Sequence, residues 1–329
     1  MKQRLISYCV FAKKFSLQNN KVLNSKENPL ISVIIPSYNH ARFLGRALAS
    51  LLEQTYINWE AIVIDNYSSD NTDEILAGFD DSRITALKIR NKGVIAASRN
   101  AGVKASRGEW VAFLDSDDWW TKDKLEVCLE YFHKGVDFIY HDLEIVHNTP
   151  RIRIRKFINS WQVKNPVFLD LLLKGNPISN SSVVVRRRLI EEIGGINEDE
   201  KIISCEDYHA WLRISQITDR FIYLPRKLGY YLIHNQGISK KDNSHAYFVV
   251  VNEFANVLDN YHHRIVESNI EFISGRNLFY KKEYKISFNK ILKSLIMGGK
   301  EHFIRRFIFL ILVIFKLTAT RLFFVKNIL

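Results

Sequence analysis

The sequence predicts an α/β fold, an α/β/α sandwich in which a sheet lies between helices, continued by a helical C-terminal region. Three observations carry that reading. From Leu30 onward short β-branched runs alternate with helical segments at the spacing of βαβ units. The 329 residues are 47% apolar and 25% charged, an ordinary globular balance that excludes wholesale disorder and collagen-like repeats. The third observation is where the net charge of +12 resides: between Arg276 and Leu329 twelve Lys/Arg face only Glu283 and Glu301, a surplus of ten. The remaining 35 basic and 33 acidic residues nearly cancel, so the first 275 residues offer no broad basic surface and no nucleic-acid partner is expected.

Taken in order, the pattern predicts strands over Ile31–Ile35, Ala61–Asp65, Arg83–Ile89 and Trp110–Leu114. Helices are expected at Arg42–Glu53, Thr72–Phe79 and Val94–Ala105, with Asn71 or Thr72 capping the second. Further on, Ser181–Val185 reads as a strand, Glu206–Ser215 as a helix, and Phe221–Leu224 with Gly229–Ile233 as a strand pair. The chain turns helical after residue 241. The expected organisation is an N-terminal tail over 1–29, the α/β domain over 30–240 and a helical, basic region over 241–329. Near the start, the apolar run Leu5–Ala12 is short and lacks a small-residue cleavage site, so it does not read as a signal peptide. Cys9, Cys128 and Cys205 lie far apart without ligand spacing, which fits a reducing, cytoplasmic compartment better than a disulfide or zinc scaffold.

In open α/β sheets ligands bind beyond the carboxyl ends of the strands. Those ends are Pro36-Ser37-Tyr38-Asn39, Asp65-Asn66, Asn91-Lys92-Gly93 and Asp115-Ser116-Asp117-Asp118, all polar, acidic or aromatic. Neither Gly-rich phosphate motif is present, since no G-x-x-x-x-G-K-[ST] occurs and no G-x-G-x-x-G follows a strand. A nucleotide held here needs another source of positive charge. Three carboxylates within four residues, Asp115, Asp117 and Asp118, repel one another unless a cation is shared, and hard oxygen donors on a short loop suit Mg²⁺ or Mn²⁺.

Other segments leave two readings open. Tyr38 can lie against a base ring with Ser37 beside it, or close an ordinary strand-to-helix turn. Asp65 or Asn66 can accept an imide N–H of uracil or thymine, or simply favour the turn, while Asp70 supports the helix that follows. Trp119 and Trp120 suit packing at least as well as sugar contact. Glu206 and Asp207 open a helix, where they cap it or keep a general base ionised. His234 can ligate a metal, touch a phosphate or serve structure.

Together, ISVIIPSYNH, QTYINWEAIVIDNYSSDNT, NKGVIAASRNAGVKASRGEWVAFLDSDDWW and CEDYHAWLRIS resemble the family 2 glycosyltransferases of GT-A fold, over roughly residues 30 to 240. The resemblance implies an inverting transfer from a nucleotide-diphosphate sugar, commonly a UDP-sugar, with a divalent metal, Mn²⁺ or Mg²⁺. It places Pro36, Ser37 and Tyr38 beside the nucleobase and Arg99 with Asn100 near the nucleotide. It makes Asp115-Ser116-Asp117 the D-x-D motif, with Asp115 toward the donor and Asp117 on the metal. It puts Asp207 at the catalytic base with Glu206 beside it, and His234 in a region of variable role, here a second metal ligand. Asn66 departs from the Asp-Asp pair of the family, which removes a charge at the uracil-reading position.

The tail segment FIRRFIFLILVIFKLTATRLFFV, residues 303–325, has a longest uncharged run of nine residues, Phe307 to Phe315, well short of the roughly 20 that span a bilayer. As a helix it sets Arg305 and Lys316 about 20° apart and leaves aromatic and aliphatic surface elsewhere. Basic residues beside Phe, Leu and Ile describe a helix lying on anionic lipid, although packing on protein is the alternative. The expectation is therefore a transferase acting on a glycan or polyprenyl-linked acceptor for cell-surface polysaccharide, peripheral at the inner face of the plasma membrane. The competing expectation is a membrane-associated subunit that binds a sugar nucleotide without turnover, to which Asn66 points.

Overall fold

In a computed structural model of the chain, the residues described are 28–147, 157–158, 160–234, 243–299 and 302–326. The Leu5–Ala12 run lies outside them. The chain divides into two compact units, one holding the sheet and the other comprising 168–176, 199–205 and the region from 238 onward.

The first unit contains a nine-stranded sheet. Its parallel half runs β3 (Ile84–Lys88), β2 (Trp59–Asp65), β1 (Ile31–Ser37), β4 (Trp110–Phe113), with helices Ala41–Leu52, Thr72–Ala77 and Ile95–Ala105 as the crossovers. Every residue of β1, β2 and β4 is buried, as a two-sided parallel sheet demands. Leu44, Ala47, Leu48 and Leu51 recur at helical spacing on Ala41–Leu52 and join Val33, Ile35 and Val63 in one core. Gly102 lets the Ile95–Ala105 helix approach the sheet, because a Cβ there would sit 2.5 Å from Ile34.

Beyond β4 the sheet becomes mixed. β8 (Val184–Arg186) is antiparallel to β4 and to β6 (Phe138–His147), β9 (Phe221–Ile233) is parallel to β6, and the two-residue strands β5 (Trp119–Trp120) and β7 (Phe157–Ile158) flank β9 and β6. This half corrects the sequence expectation in three places. The strand expected at Ser181–Val185 begins only at Val184, because Asn180–Ser182 form a 3₁₀ turn whose Ser182 hydroxyl bonds the Ser179 carbonyl at 2.6 Å. The expected pair Phe221–Leu224 and Gly229–Ile233 is one strand, not two, and it crosses Pro225 by a register shift opposite His141 and Asp142. β6 itself is a fully integrated strand that sequence reading leaves unassigned, since His141 and Asp142 interrupt its apolar run. Gly229 is fixed by close approach, as a Cβ there would meet Leu143 at 2.9 Å and Trp120 at 3.0 Å.

The second unit has helices Ser244–Glu253, Asn260–Tyr280, Tyr284–Met297 and Phe303–Lys326. Phe272, Ile291, Leu310 and Val313 form its core, with Phe279, Phe288 and Leu295 against them. None of the described helices is long and apolar enough to cross a membrane.

Candidate active site

Each strand of the parallel half ends in a loop, and the hydrogen bonds of those loops converge. After β1, His40 turns its imidazole Nδ1 toward Ser116 Oγ at 2.8 Å. Asn39, with a left-handed φ of 51°, accepts the Ser69 N–H on its side-chain oxygen at 2.8 Å. Asp70 accepts N–H bonds from both Ala41 and Thr72, at 2.9 and 3.2 Å. One carboxylate therefore serves the starts of two helices, and Asn71, although it occupies the cap position, makes no side-chain capping bond.

The acidic loop after β4 is ordered by its own partners. Asp115 Oδ1 accepts from Arg99 Nη2 at 3.0 Å and from Asn180 Nδ2 at 3.1 Å. Its main-chain N–H donates to Ser181 Oγ at 3.1 Å. Asp117 Oδ2 lies 2.8 Å from His234 Nε2, at the end of β9. Asp118, buried at 1% exposure, accepts from Ser181 Oγ at 2.6 Å and from the Leu232 N–H at 3.0 Å. Burial first, then the neighbouring Asp117 and Asp115, pushes its carboxyl well above the usual range. By gripping Leu232, Asp118 sets the register that brings His234 to Asp117. Trp120 packs into the core with Nε1 on the Ser181 carbonyl at 2.8 Å. Trp119 is instead sandwiched between Tyr230, 4.9 Å away, and the Arg46 guanidinium, 3.4 Å from its ring centre.

Arg99 links this loop to the second acidic pair. Its Nη1 donates to Glu206 Oε1 at 2.6 Å while Nη2 holds Asp115, and only 3% of the residue is exposed. Burial opposes the charge, but Asp115 and Glu206 outweigh it and raise the guanidinium pKa above its ordinary value. Glu206 begins the helix Glu206–Ser215 and is engaged by that arginine. Asp207, half-buried beside it, accepts the Tyr208 N–H at 2.7 Å. Removal from water, reinforced by Glu206, pushes the Asp207 carboxyl up to about 7. Asn100, next to Arg99, clamps the 196–198 segment through both main-chain groups of Ile196 and Glu198 Oε1.

His40, Asp117 and His234 bring ligand atoms within 4.8 Å of one another. One carboxylate and two imidazoles fit a divalent ion, and this mixed donor set matches Mn²⁺ better than Mg²⁺, which prefers oxygen alone. Burial and the nearby His234 lower the His40 pKa against the pull of Asp117, which favours the neutral, ligating imidazole. Sequence reading supplies Asp117 and His234 but misses His40. The residue stands at the end of the first motif, and only its spatial approach to β9 marks it. Asn180, Ser181, Arg46 and the tether at Asp118 were likewise invisible as site residues.

The residues expected beside the nucleobase are placed differently. Pro36 and Ser37 are buried at the end of β1, whereas Tyr38 is 56% exposed. Asn66 Oδ1 accepts the Asn91 N–H at 2.9 Å, and Asp65 accepts the Ser68 N–H and hydroxyl. Asp65 is thus engaged by its own loop and Asn66 by the loop that follows β3.

The sequence profile described as glycosyl transferase family 2 matches residues 32–193. The chain is 34% identical over 186 residues to the UDP-Glc:alpha-D-GlcNAc-diphosphoundecaprenol beta-1,3-glucosyltransferase WfgD of Escherichia coli, an alignment covering 56% of this chain and 69% of that one. The chain belongs to glycosyltransferase family 2. Its GT-A fold is shared with S. aureus TarS 1-349 in complex with UDP-GlcNAc, at TM-score 0.60 and 20% identity over 82% of this chain and 81% of that one. It is shared also with the mannosyltransferase PcManGT of Pyrobaculum calidifontis in complex with GDP-Man and Mn²⁺, at TM-score 0.55 and 18% identity over 90% and 84%. In this family 2 glycosyltransferase, Glu206, Asp207 and His234 lie beyond the span matched by the profile. Their connection to it is made in space by Arg99, Asp117 and Asp118.

Proposed function

We propose that the protein transfers a sugar with inversion from a UDP-sugar to a hydroxyl of a glycan or polyprenyl-linked acceptor in cell-surface polysaccharide synthesis. The observation that carries the reading is the Arg99 bridge, which ties Asp115 of the donor loop to Glu206 at the head of the helix bearing Asp207. WfgD, whose name specifies a UDP-Glc donor and a diphosphoundecaprenol acceptor, supports UDP and a lipid-linked acceptor, and that acceptor suits work at the cytoplasmic face of the plasma membrane. TarS in complex with UDP-GlcNAc supports the same base.

The division of labour follows from the environments. Asp117, His234 and His40 would hold the divalent ion, and Asp115 with Ser116 borders the donor. A bound cation supplies counter-charge for a departing diphosphate. Arg99 fixes Asp115 and compensates Glu206, so that Asp207 is left to take the proton of the attacking acceptor hydroxyl. With its carboxyl near 7, Asp207 holds a proton-accepting strength matched to neutral pH. A single in-line displacement inverts the anomeric centre and needs no covalent sugar-enzyme intermediate.

The test is the pH dependence of transfer together with nucleotide binding. A base works deprotonated, so kcat/KM rises about tenfold per pH unit below 7 and levels above it. Asp207→Asn lowers kcat by about 10²–10⁴ while UDP with Mn²⁺ still raises Tm. A variant that keeps full transfer, or a pH profile flat through 7, removes Asp207 from the role.

A further inference from the structure

The helix Phe303–Lys326 has two apolar faces, and the core of its unit uses only one. At about 100° per residue, Arg306, Phe309, Leu310, Val313 and Leu317 fall within an arc of roughly 100°. Leu310 and Val313 are buried against Phe272 and Ile291, with Phe309 and Leu317 packed alongside. Across the axis, Ile304, Phe307, Ile308, Ile311, Leu312 and Phe315 span roughly 140° and are exposed, Ile304 at 74% and Phe315 at 65%. A helix with one face in a protein core normally presents polar residues to water on the other. This one presents large aliphatic and aromatic side chains.

Charge identifies what covers that face. The helix contains Arg305, Arg306, Lys316, Arg321 and Lys326 and no acidic residue. Arg306 is withdrawn into the core, where it donates to the Ser294 carbonyl and to Asn269 Oδ1. Lys290 and Lys293 are engaged by Glu271. Arg305 and Lys316 are exposed and stand on one border of the apolar arc, about 20° apart. A second copy would bring the same basic border against this one, whereas a bilayer with anionic headgroups satisfies both features at once. At the start of the helix an open groove of about 550 Å³ is lined by His302, Phe303, Ile304, Arg305, Ile308 and Phe309.

We propose that the Ile304–Phe315 arc is a membrane-docking face that lies in the plane of an anionic bilayer, with Arg305 and Lys316 at the headgroups. The helix lies on the bilayer and does not cross it, in keeping with the absence of a spanning helix among the described residues. The inference stands on the helical unit alone and does not depend on the donor or base assignments above.

The experiment is sedimentation of the full chain with vesicles of phosphatidylcholine, with and without about one quarter phosphatidylglycerol. UDP-dependent thermal shift is recorded in parallel as a check on the sheet-bearing unit. The expected result is partitioning at least about tenfold stronger to the anionic vesicles. Ile308→Glu and Ile311→Glu each reduce it by about tenfold or more, and Arg305→Gln by about fivefold on anionic vesicles alone, all with the nucleotide response unchanged. Wild-type protein that stays in the supernatant with anionic vesicles overturns the proposal. So does a concentration-dependent dimer that Ile308→Glu dissociates without changing vesicle binding, which would assign the face to a second copy. Loss of the nucleotide response with vesicle binding intact would fault the donor reading and leave this one standing.

Discussion

Among the described residues each of the two units buries one guanidinium, and the two are held in opposite ways. Arg99, in the sheet-bearing unit, sits between two carboxylates at 2.6 and 3.0 Å, and those charges raise its pKa. Arg306, in the helical unit, is 1% exposed and is met by neutral acceptors, the Ser294 carbonyl at 3.2 Å and Asn269 Oδ1 at 2.6 Å. Burial there lowers its pKa. The difference shows what each unit requires of a buried charge. In the first unit the cation is needed as a cation, because it holds acidic residues from two distant parts of the chain at fixed positions. In the second its fork only pins one helix to two others, and Gly298 leaves room for it, since a Cβ there would fall 1.6 Å from Nη1.

The comparison is broken most severely at Arg99. Arg99→Ala leaves the buried Glu206 without compensation and frees Asp115 from its arginine, and removing one partner of a buried pair costs about 3–5 kcal/mol. Transfer should fall below detection and Tm should drop by several degrees. Arg99→Lys should recover much of the Tm and little of the activity, because an ammonium cannot fork to two carboxylates. Equal rescue of both would reduce the bridge to simple charge neutralisation.

A smaller effect is expected at Asp118, a buried carboxylate held, like Arg306, by neutral groups. Asp118→Asn turns an amide donor toward either the Ser181 hydroxyl or the Leu232 N–H, at a cost of about 1–3 kcal/mol. Because Leu232 sets the position of His234, titrations with Mn²⁺ should show the requirement raised by about 10–100-fold. An unchanged Mn²⁺ requirement would detach Asp118 from the His234 register.

The smallest change belongs to Arg306. Arg306→Met removes the pin but restores apolar volume, leaving the Ser294 carbonyl and Asn269 amide short of a donor, so about 1–2 kcal/mol of stability is lost. Denaturant unfolding should show that loss while kcat on a water-soluble acceptor stays within about twofold. A loss of activity as large as that of Arg99→Ala would erase the distinction between the two arginines.

Much of the catalytic half was legible because its signals are local. Buried parallel strands read as unbroken apolar runs, and the polar strand ends follow each at once, so Asp115, Asp117 and Asn66 could be singled out where they stand. The Ser181 and Phe221 regions were misread for an equally local reason. Serine hydroxyls replaced ladder bonds at 180–182, and Pro225 imitated a break in what is one strand. β6 went unassigned because its apolar run is interrupted by His141 and Asp142, whose burial is decided by neighbours distant in sequence.

The site divides along the same line. Sequence alone determined which residue types were available, since three acids in four positions after a buried strand must each be paired with a cation or kept neutral, and two acids opening a helix are favoured by its dipole. It also determined that the last helix is basic and apolar together. Tertiary structure decided who meets whom: that Arg99 joins Asp115 to Glu206, that His40 reaches the Asp117–His234 pair, that Asp118 holds β9 in register, and that Arg306 faces inward while Ile308 and Ile311 face out. Those pairings join residues as distant in sequence as His40 and His234, 194 positions apart. Their energies come from burial and geometry, which exist only once the chain has folded.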